Sequence, residues 1–196
     1  WSVHGVAGEG ALAVAGPWRA AVQDTGLWLR LPDVLGTPRA IVLTATAPAL
    51  PALDPQAWSW LEVASGVPRI VAATAEHFVP QMINLELVGG VDFQKGCYPG
   101  QEVVARSQYR GTLKRRAFAF ESPLAGTAGQ EIFHAADPGQ PAGRGANAAS
   151  FDGRHRLLAE LKIAALDGGS LHLGEPGGPT LTRVELPYAV PLETTA

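Results

Sequence analysis

The chain has 196 residues, of which 46% are hydrophobic and 17% charged, and its formal net charge is -3 at pH 7. These values are typical of a globular protein with a hydrophobic core; they exclude attraction to nucleic acid through overall charge, and no apolar run approaches the roughly 20 residues of a membrane helix. A single cysteine excludes an internal disulfide and predicts a cytoplasmic location, and five scattered histidines lack metal-ligand spacing, so no bound metal is expected.

The first part of the chain alternates predicted strands with short helices. Three segments favour strands through their apolar and β-branched residues: Trp1–Val6, Leu27–Leu31 and Arg39–Thr46. A short helix is predicted over Ala11–Ala15. A better-defined helix follows, with Asp54 as its N-cap, Pro55 in its first turn and Gly66 as its end. Because the chain opens on Trp1 inside a strand-like run, we expect it to be the C-terminal portion of a longer protein.

After Gly111 the pattern changes to short segments separated by glycine and proline. Such segments predict a small antiparallel barrel or sandwich. The segment R-L-L-A-E-L-K-I-A-A-L fits either a helix or a strand, and its neighbours favour a strand. We therefore predict the α+β class, with an α+β region over residues 1–113 and a small antiparallel β-barrel domain over residues 114–196.

The stretch K-G-C-Y-P-G-Q-E-V-V-A-R, from Lys95 to Arg106, holds the single cysteine. Pro99 is expected in the first turn of a helix that continues to Tyr109 and stops at Gly111. Cys97 would then lie just before a helix N-terminus, where free N–H groups, the helix dipole and Lys95 favour a thiolate and bound anions. Three interpretations stay open: a buried packing residue, an activated thiol, or a surface cysteine without a role.

A run of cations follows, without an acid between Glu102 and Glu121; it comprises Arg106, Arg110, Lys114, Arg115 and Arg116. This run predicts a basic patch that holds an anionic tail, or simply a solvated face. Binding of RNA is the weakest option, because Tyr109 is the only aromatic residue interleaved with the cations of this run.

Two tryptophans, Trp58 and Trp60, share the predicted helix that begins after Asp54. Because they are two residues apart, they point to different faces of the helix. We expect one to be part of the core and the other to form a flat wall for a ring-shaped ligand.

The motif K-G-C-Y-P-G-Q-E resembles the K-G-C-Y-x-G-Q-E signature of the YgfZ-type folate-binding proteins, whose mitochondrial counterparts act in iron–sulfur cluster assembly. The flanks agree as well: W-x-x-L-E-V-x-x-G-V-P-R-I begins at Trp58, and F-V-P-Q-M-I-N-L-E-L-V-G-G-V-D-F-Q begins at Phe78. After the signature, V-A-R-S-Q-Y-R-G-x-x-K-R-R continues the likeness, which is nearly continuous from Trp58 to Arg116.

The resemblance implies a fold similar to the aminomethyltransferase of the glycine cleavage system, with a folate-cradling α+β region followed by a β-barrel. It implies tetrahydrofolate, including its polyglutamylated forms, as the cofactor. Transient partners would be iron–sulfur client or assembly proteins, including a tRNA-modifying enzyme, without direct contact to nucleic acid or membrane. The residues carried over as catalytic are Cys97 and Lys95. Those carried over for folate are Trp58, Tyr98, Gly100, Gln101 and Glu102, and the basic run adds Arg106 and Arg110 for its anionic tail.

Two alternatives to an accessory role remain. One is a tetrahydrofolate-dependent aminomethyltransferase or demethylase. In the aminomethyltransferases a glutamate grips the pterin; the aligned residue here is Ala64, and Glu62 would point elsewhere, which speaks against this alternative. The other is a thiol-redox module with Cys97 as nucleophile, which would need a resolving cysteine from a partner.

Overall fold

In a computed structural model that describes residues 1–109 and 113–192, the chain forms two compact units, Trp1–Ser65 and Gly66–Ala196. Both units contain an antiparallel sheet, and each carries one α-helix. The predicted α+β class is therefore confirmed. The predicted domain boundary after residue 113 stays a prediction.

The first unit contains a four-stranded antiparallel sheet with strand order β1-β4-β3-β2. Its elements are β1 (Ser2–Ala7), a 3₁₀ helix (Glu9–Ala13), β2 (Ala20–Gln23), β3 (Gly26–Val34), β4 (Thr37–Thr44) and helix α1 (Pro55–Ala64). The three predicted strands are confirmed, and the predicted short helix is the 3₁₀ helix. Strand β2 was not predicted, because its four residues A-A-V-Q carry no strand signal.

Helix α1 begins as the sequence predicts. The Asp54 carboxylate accepts a hydrogen bond from the Gln56 backbone N–H at 2.7 Å, and Pro55 occupies the first helical position. The two cap signals act together, since the carboxylate satisfies an N–H that the helix leaves unpaired and proline has none to lose.

The second unit is built on a six-stranded antiparallel sheet with strand order β10-β5-β8-β7-β6-β9. Its strands are β5 (Arg115–Ser122), β6 (Glu131–His134), β7 (Asp137–Phe151), β8 (Arg154–Lys162), β9 (Leu171–Leu173) and β10 (Thr182–Val184). Residues just before β10 also bond to β9, because the Leu181 N–H donates to the Leu171 carbonyl and the Leu173 N–H to the Pro179 carbonyl, both at 2.9 Å. The sheet is therefore barrel-like, as predicted for this part of the chain.

Strand β8 explains why its sequence fitted a helix as well as a strand. Leu157, Ala159 and Leu161 belong to the core cluster, yet Leu158 and Glu160 between them are buried too. Because both faces of β8 are covered, the alternation typical of a half-exposed strand is missing. The strand interpretation is confirmed as far as Lys162, where a 3₁₀ helix (Ile163–Leu166) follows.

One side-chain amide takes the place of a strand at the edge of β5. Asn84 donates through Nδ2 to the Ala117 carbonyl at 2.8 Å and accepts from the Ala117 N–H at 3.3 Å. Asn84 has a left-handed backbone with φ of 61° and ends the 3₁₀ helix Pro80–Ile83, a position that asparagine tolerates better than most residues. The fully buried amide thereby attaches this helix to the barrel.

Helix α2 (Gln101–Tyr109) is attached through the same 3₁₀ helix. The buried Gln81 donates from Nε2 to the Val104 carbonyl at 2.8 Å, and Val104 is the buried residue of α2. The Gln81 carbonyl in turn accepts from Arg116 Nη1 at 3.0 Å. Neither α1 nor α2 is long and apolar enough to cross a membrane, and the same is true of every other helix in the described residues.

A β-bulge in β7 has a similar attachment role. The register of β7 against β8 shifts between Gly145 and Asn147, which leaves Ala146 as the extra residue. The side chain of Asn147 then bonds the backbone of Arg69 in both directions, at 2.9 Å to its N–H and 2.8 Å to its carbonyl.

We predict that Asn84→Asp lowers the free energy of unfolding by about 3 kcal/mol, because a carboxylate cannot donate to the buried Ala117 carbonyl and is itself buried. The matched control is Asn147→Asp, which loses the same type of donor at a more exposed site and should cost about 1 kcal/mol. Urea denaturation of both variants measures the difference. Equal losses would contradict the role assigned to Asn84.

Candidate functional site

The segment before helix α2 is a turn with irregular backbone on either side of it. The Gln101 N–H bonds the Tyr98 carbonyl at 3.2 Å, and Gly100 has φ of 78°, which favours glycine. The Val104 N–H bonds the Gly100 carbonyl, so α2 starts directly after this glycine. The prediction that Pro99 lies in the first helical turn is wrong, since left-handed Gly100 separates Pro99 from the helix.

Cys97 is exposed and lies four residues before α2 begins. The interpretation of Cys97 as a buried packing residue is therefore wrong. Lys95 places its ammonium 4.9 Å from the ring centroid of Tyr98, a cation–π contact that holds both side chains of the signature together. Activation of the thiol by the helix N-terminus stays a prediction.

The other predicted site residues of the second unit lie along the start of α2. Gly100, Glu102 and Arg106 are exposed, while Tyr98 and Gln101 are half-buried. The helix thus turns Val104 inward and leaves its charged side chains to solvent. Arg110, the remaining predicted residue, lies outside the described residues.

The predicted basic patch is wrong for two of its five cations. Arg116 is buried and pairs with Glu86, and Arg115 pairs with the buried Glu160. The run looked unpaired in the sequence because both carboxylates come from distant segments of the chain. Of the described cations in this run, Arg106 and Lys114 are exposed.

The two tryptophans of α1 separate as expected. Trp60 is buried, whereas Trp58 is half-buried and lines a cavity of about 830 Å³ in the first unit. The other walls of this cavity are mainly apolar, and His4 and Ser59 are its polar side chains; the apolar part includes Val3, Val6, Pro48, Leu50, Pro51 and Leu53. Trp60 is therefore the core residue of the pair and Trp58 the one that borders a cavity, while stacking of a ring-shaped ligand on Trp58 stays a prediction.

The Trp58 ring is held from two sides. A Cβ added to Gly5 on β1 would lie 2.6 Å from the ring, so the indole occupies the space that a side chain would take. The buried guanidinium of Arg39 lies 5.8 Å from the ring centroid. Trp58 and Glu62 are one helical turn apart on α1, and both therefore face the sheet at Gly5 and Arg39.

Glu62 is bound by an ion pair within the first unit. Its Oε1 accepts from Arg39 Nη1 at 2.8 Å. Burial lowers the pKa of the Arg39 guanidinium, and the Glu62 carboxylate opposes that shift without cancelling it. Ala64, at the position aligned with the pterin-gripping glutamate, is buried and carries no polar group.

The candidate residues thus form two groups: Trp58 with its cavity in the first unit, and Lys95 to Arg106 in the second. Within the described part of the chain, no three side chains of His, Cys, Asp or Glu are grouped so that they could hold a metal ion. The two neighbours that position Trp58, namely Gly5 by leaving space and Arg39 by its charge, were missed by sequence reasoning. A glycine within a predicted strand was the available signal.

No family model matches the chain. It is similar to the tRNA-modifying protein YgfZ of Colwellia psychrerythraea, at 49% identity over 76 residues, which is 39% of this chain and 24% of that protein. The tRNA-modifying protein YgfZ of Vibrio vulnificus strain CMCP6 is 37% identical over 101 residues, 52% of this chain and 30% of the relative. The matched stretches therefore span about a quarter to a third of these curated relatives. The resemblance to the YgfZ-type proteins is confirmed.

We predict that Gly5→Ala displaces the Trp58 ring and lowers the free energy of unfolding by about 1–3 kcal/mol, as overpacking does. In a Trp58→Ala background the same change should cost nothing, because the clash is removed and alanine is favoured over glycine in a strand. Urea denaturation of the four proteins completes the cycle. An equal cost in both backgrounds would show that Trp58 does not rest on Gly5.

Proposed function

We propose that this chain, which is similar to proteins of the YgfZ type, binds tetrahydrofolate and supports the assembly or repair of iron–sulfur proteins, including those that modify tRNA. The relatives that it matches are named as tRNA-modifying proteins. Because the matched stretches cover only part of those relatives, folate binding and client support are argued from residues.

The observation that carries folate binding is the Trp58 cavity. Its volume of about 830 Å³ lies within the range of small-molecule sites, roughly 300–1,000 Å³. A planar pterin or aminobenzoyl ring would stack on the indole, whose position is determined by Gly5 and Arg39. The apolar walls suit the faces of such rings, and His4 and Ser59 supply polar groups at the rim.

An anionic polyglutamate tail carries several negative charges, so cations without a carboxylate partner suit it best. Arg106 and Lys114 are exposed and suit this role, whereas Arg115 and Arg116 are each paired with a carboxylate. Arg110 belongs to the proposal only through its place in the basic run of the sequence.

An accessory role is favoured over one-carbon transfer because the carboxylate of Glu62 on α1 is engaged in an ion pair. A transferase of this type needs a carboxylate in the pterin pocket, yet Ala64 has none and Glu62 is paired with the buried Arg39. The exposed Cys97 is accessible to a partner protein, so it is assigned to contact with a client, an iron–sulfur cluster being delivered, or a partner thiol.

We expect tetrahydrofolate to bind the chain in equilibrium dialysis under reducing conditions, and Trp58→Ala to weaken binding about tenfold, the equivalent of about 1.4 kcal/mol of lost stacking. The control is Trp18→Ala, which removes a half-exposed tryptophan of the same unit from outside the cavity. Equal affinity of the two variants, or no binding by the unchanged chain, would overturn the proposed site. Consumption of a methylated amine with tetrahydrofolate would favour the transferase instead.

The proposed support of iron–sulfur client proteins is tested in cells that lack the protein. Cys97→Ala, expressed from the complete gene, should accumulate normally on an immunoblot yet fail to restore the activity of a client iron–sulfur enzyme. Gln108→Ala, an exposed change on the helix α2 that follows Cys97, should restore it fully. Full rescue by Cys97→Ala would remove the thiol from the proposal and leave folate binding to the dialysis test.

A further inference from the structure

A second cavity, in the second unit, is lined by none of the residues that the proposed function assigns to folate or to the thiol. It is open to solvent, has a volume of about 250 Å³ and is lined by His77, Phe78, Met82, Arg115, Pro141 and Arg144, together with Gly143 and Glu160. We refer to it as the His77 pocket. It lies where the segment leading into the 3₁₀ helix Pro80–Ile83 meets strands β5, β7 and β8 of the barrel.

Two arginines of the His77 pocket are held in place but keep donors unused. Arg115 donates hydrogen bonds from Nε and Nη2 to Glu160 and from Nη2 to the Ala142 carbonyl. Its Nη1 has no partner in the described chain. Arg144 donates from Nη1 to the Gly129 carbonyl at 2.9 Å and from Nη2 to Glu131 at 3.0 Å. Its Nε donates no hydrogen bond within the described chain. Because each guanidinium is already immobilised, a ligand would order little further on binding.

The charges of the pocket select among anions. Each arginine is neutralised by its own glutamate, Glu160 for Arg115 and Glu131 for Arg144. His77 is exposed, and its ring nitrogens have no hydrogen-bond partner in the described chain, so they add one more polar contact. A doubly charged phosphate would face two nearby carboxylates, whereas a single carboxylate can use the free donors at a smaller electrostatic cost.

The apolar side chains that line the pocket determine which uncharged part of a ligand fits. Phe78, Met82 and Pro141 are half-buried and apolar, so they suit an apolar body rather than a sugar or a second charge. The volume is slightly below the usual range for small-molecule sites, which limits that body to one ring or a short chain. We propose that the His77 pocket binds a small aryl or alkyl monocarboxylate.

Met82 makes the proposal directly testable, because it is the only methionine of the chain. A ¹³C-methyl label on methionine therefore reports from inside the pocket. Benzoate should shift the Met82 methyl signal with a Kd on the order of 1 mM, as expected for a ligand of about nine heavy atoms. Benzamide, which has the same ring but no charge, and inorganic phosphate should each bind at least fivefold more weakly.

The variants are chosen so that the fold is preserved. Arg144→Gln should weaken benzoate at least fivefold, and it disturbs a partly exposed ion pair and one hydrogen bond to the Gly129 carbonyl. The control is Arg154→Gln, which removes an exposed, carboxylate-paired arginine of the same barrel far from the pocket lining. An unshifted Met82 signal with benzoate, tighter binding of phosphate than of benzoate, or equal affinity of the two variants would each overturn the proposal.

Discussion

The second unit depends on one side-chain amide, that of Asn84, which bonds the backbone of Ala117 as a neighbouring strand would. This pairing attaches the 3₁₀ helix Pro80–Ile83 to the barrel, and Gln81 of that helix attaches α2 through the Val104 carbonyl. Helix α2 in turn determines where the signature from Lys95 to Gln101 lies within the unit. Because the donor and the acceptor of this buried amide are both hydrogen-bonded, its position is fixed: any shift would leave a buried peptide group unpaired. The thiol segment and the His77 pocket therefore depend on the same attachment.

In the first unit the comparable constraint combines a steric contact with a cation–π contact. The Trp58 ring is positioned by a missing side chain at Gly5 and by the charge of Arg39 on another side. The buried guanidinium would be costly alone, and Glu62 makes it tolerable while losing its own freedom to act on a ligand. The same arginine thus orders the Trp58 ring and binds the Glu62 carboxylate.

The sequence predicts those features that local chemistry determines. Four features follow from neighbouring residues: the cap at Asp54, the helix after Gly100, the strand β8, and the burial of only one of the two tryptophans of α1. The partners of Arg115 and Arg116 could not be predicted, since Glu160 and Glu86 lie 45 and 30 residues away along the chain. Strand β2 was missed because its pairing with β3, and not its composition, makes it a strand.

The bulge in β7 has a consequence for how the chain can change over evolution. On either side of it, Gly145 pairs with Ala159 and Asn147 with Leu158, so one residue of β7 is accommodated without reversing which side chains face the barrel interior. Deletion of Ala146 would therefore keep the inward and outward alternation of the whole strand. A deletion elsewhere in the paired part of β7 would exchange its two faces. Natural variation in the length of this strand should accordingly concentrate at the bulge, which acts as a tolerated site for the gain or loss of one residue.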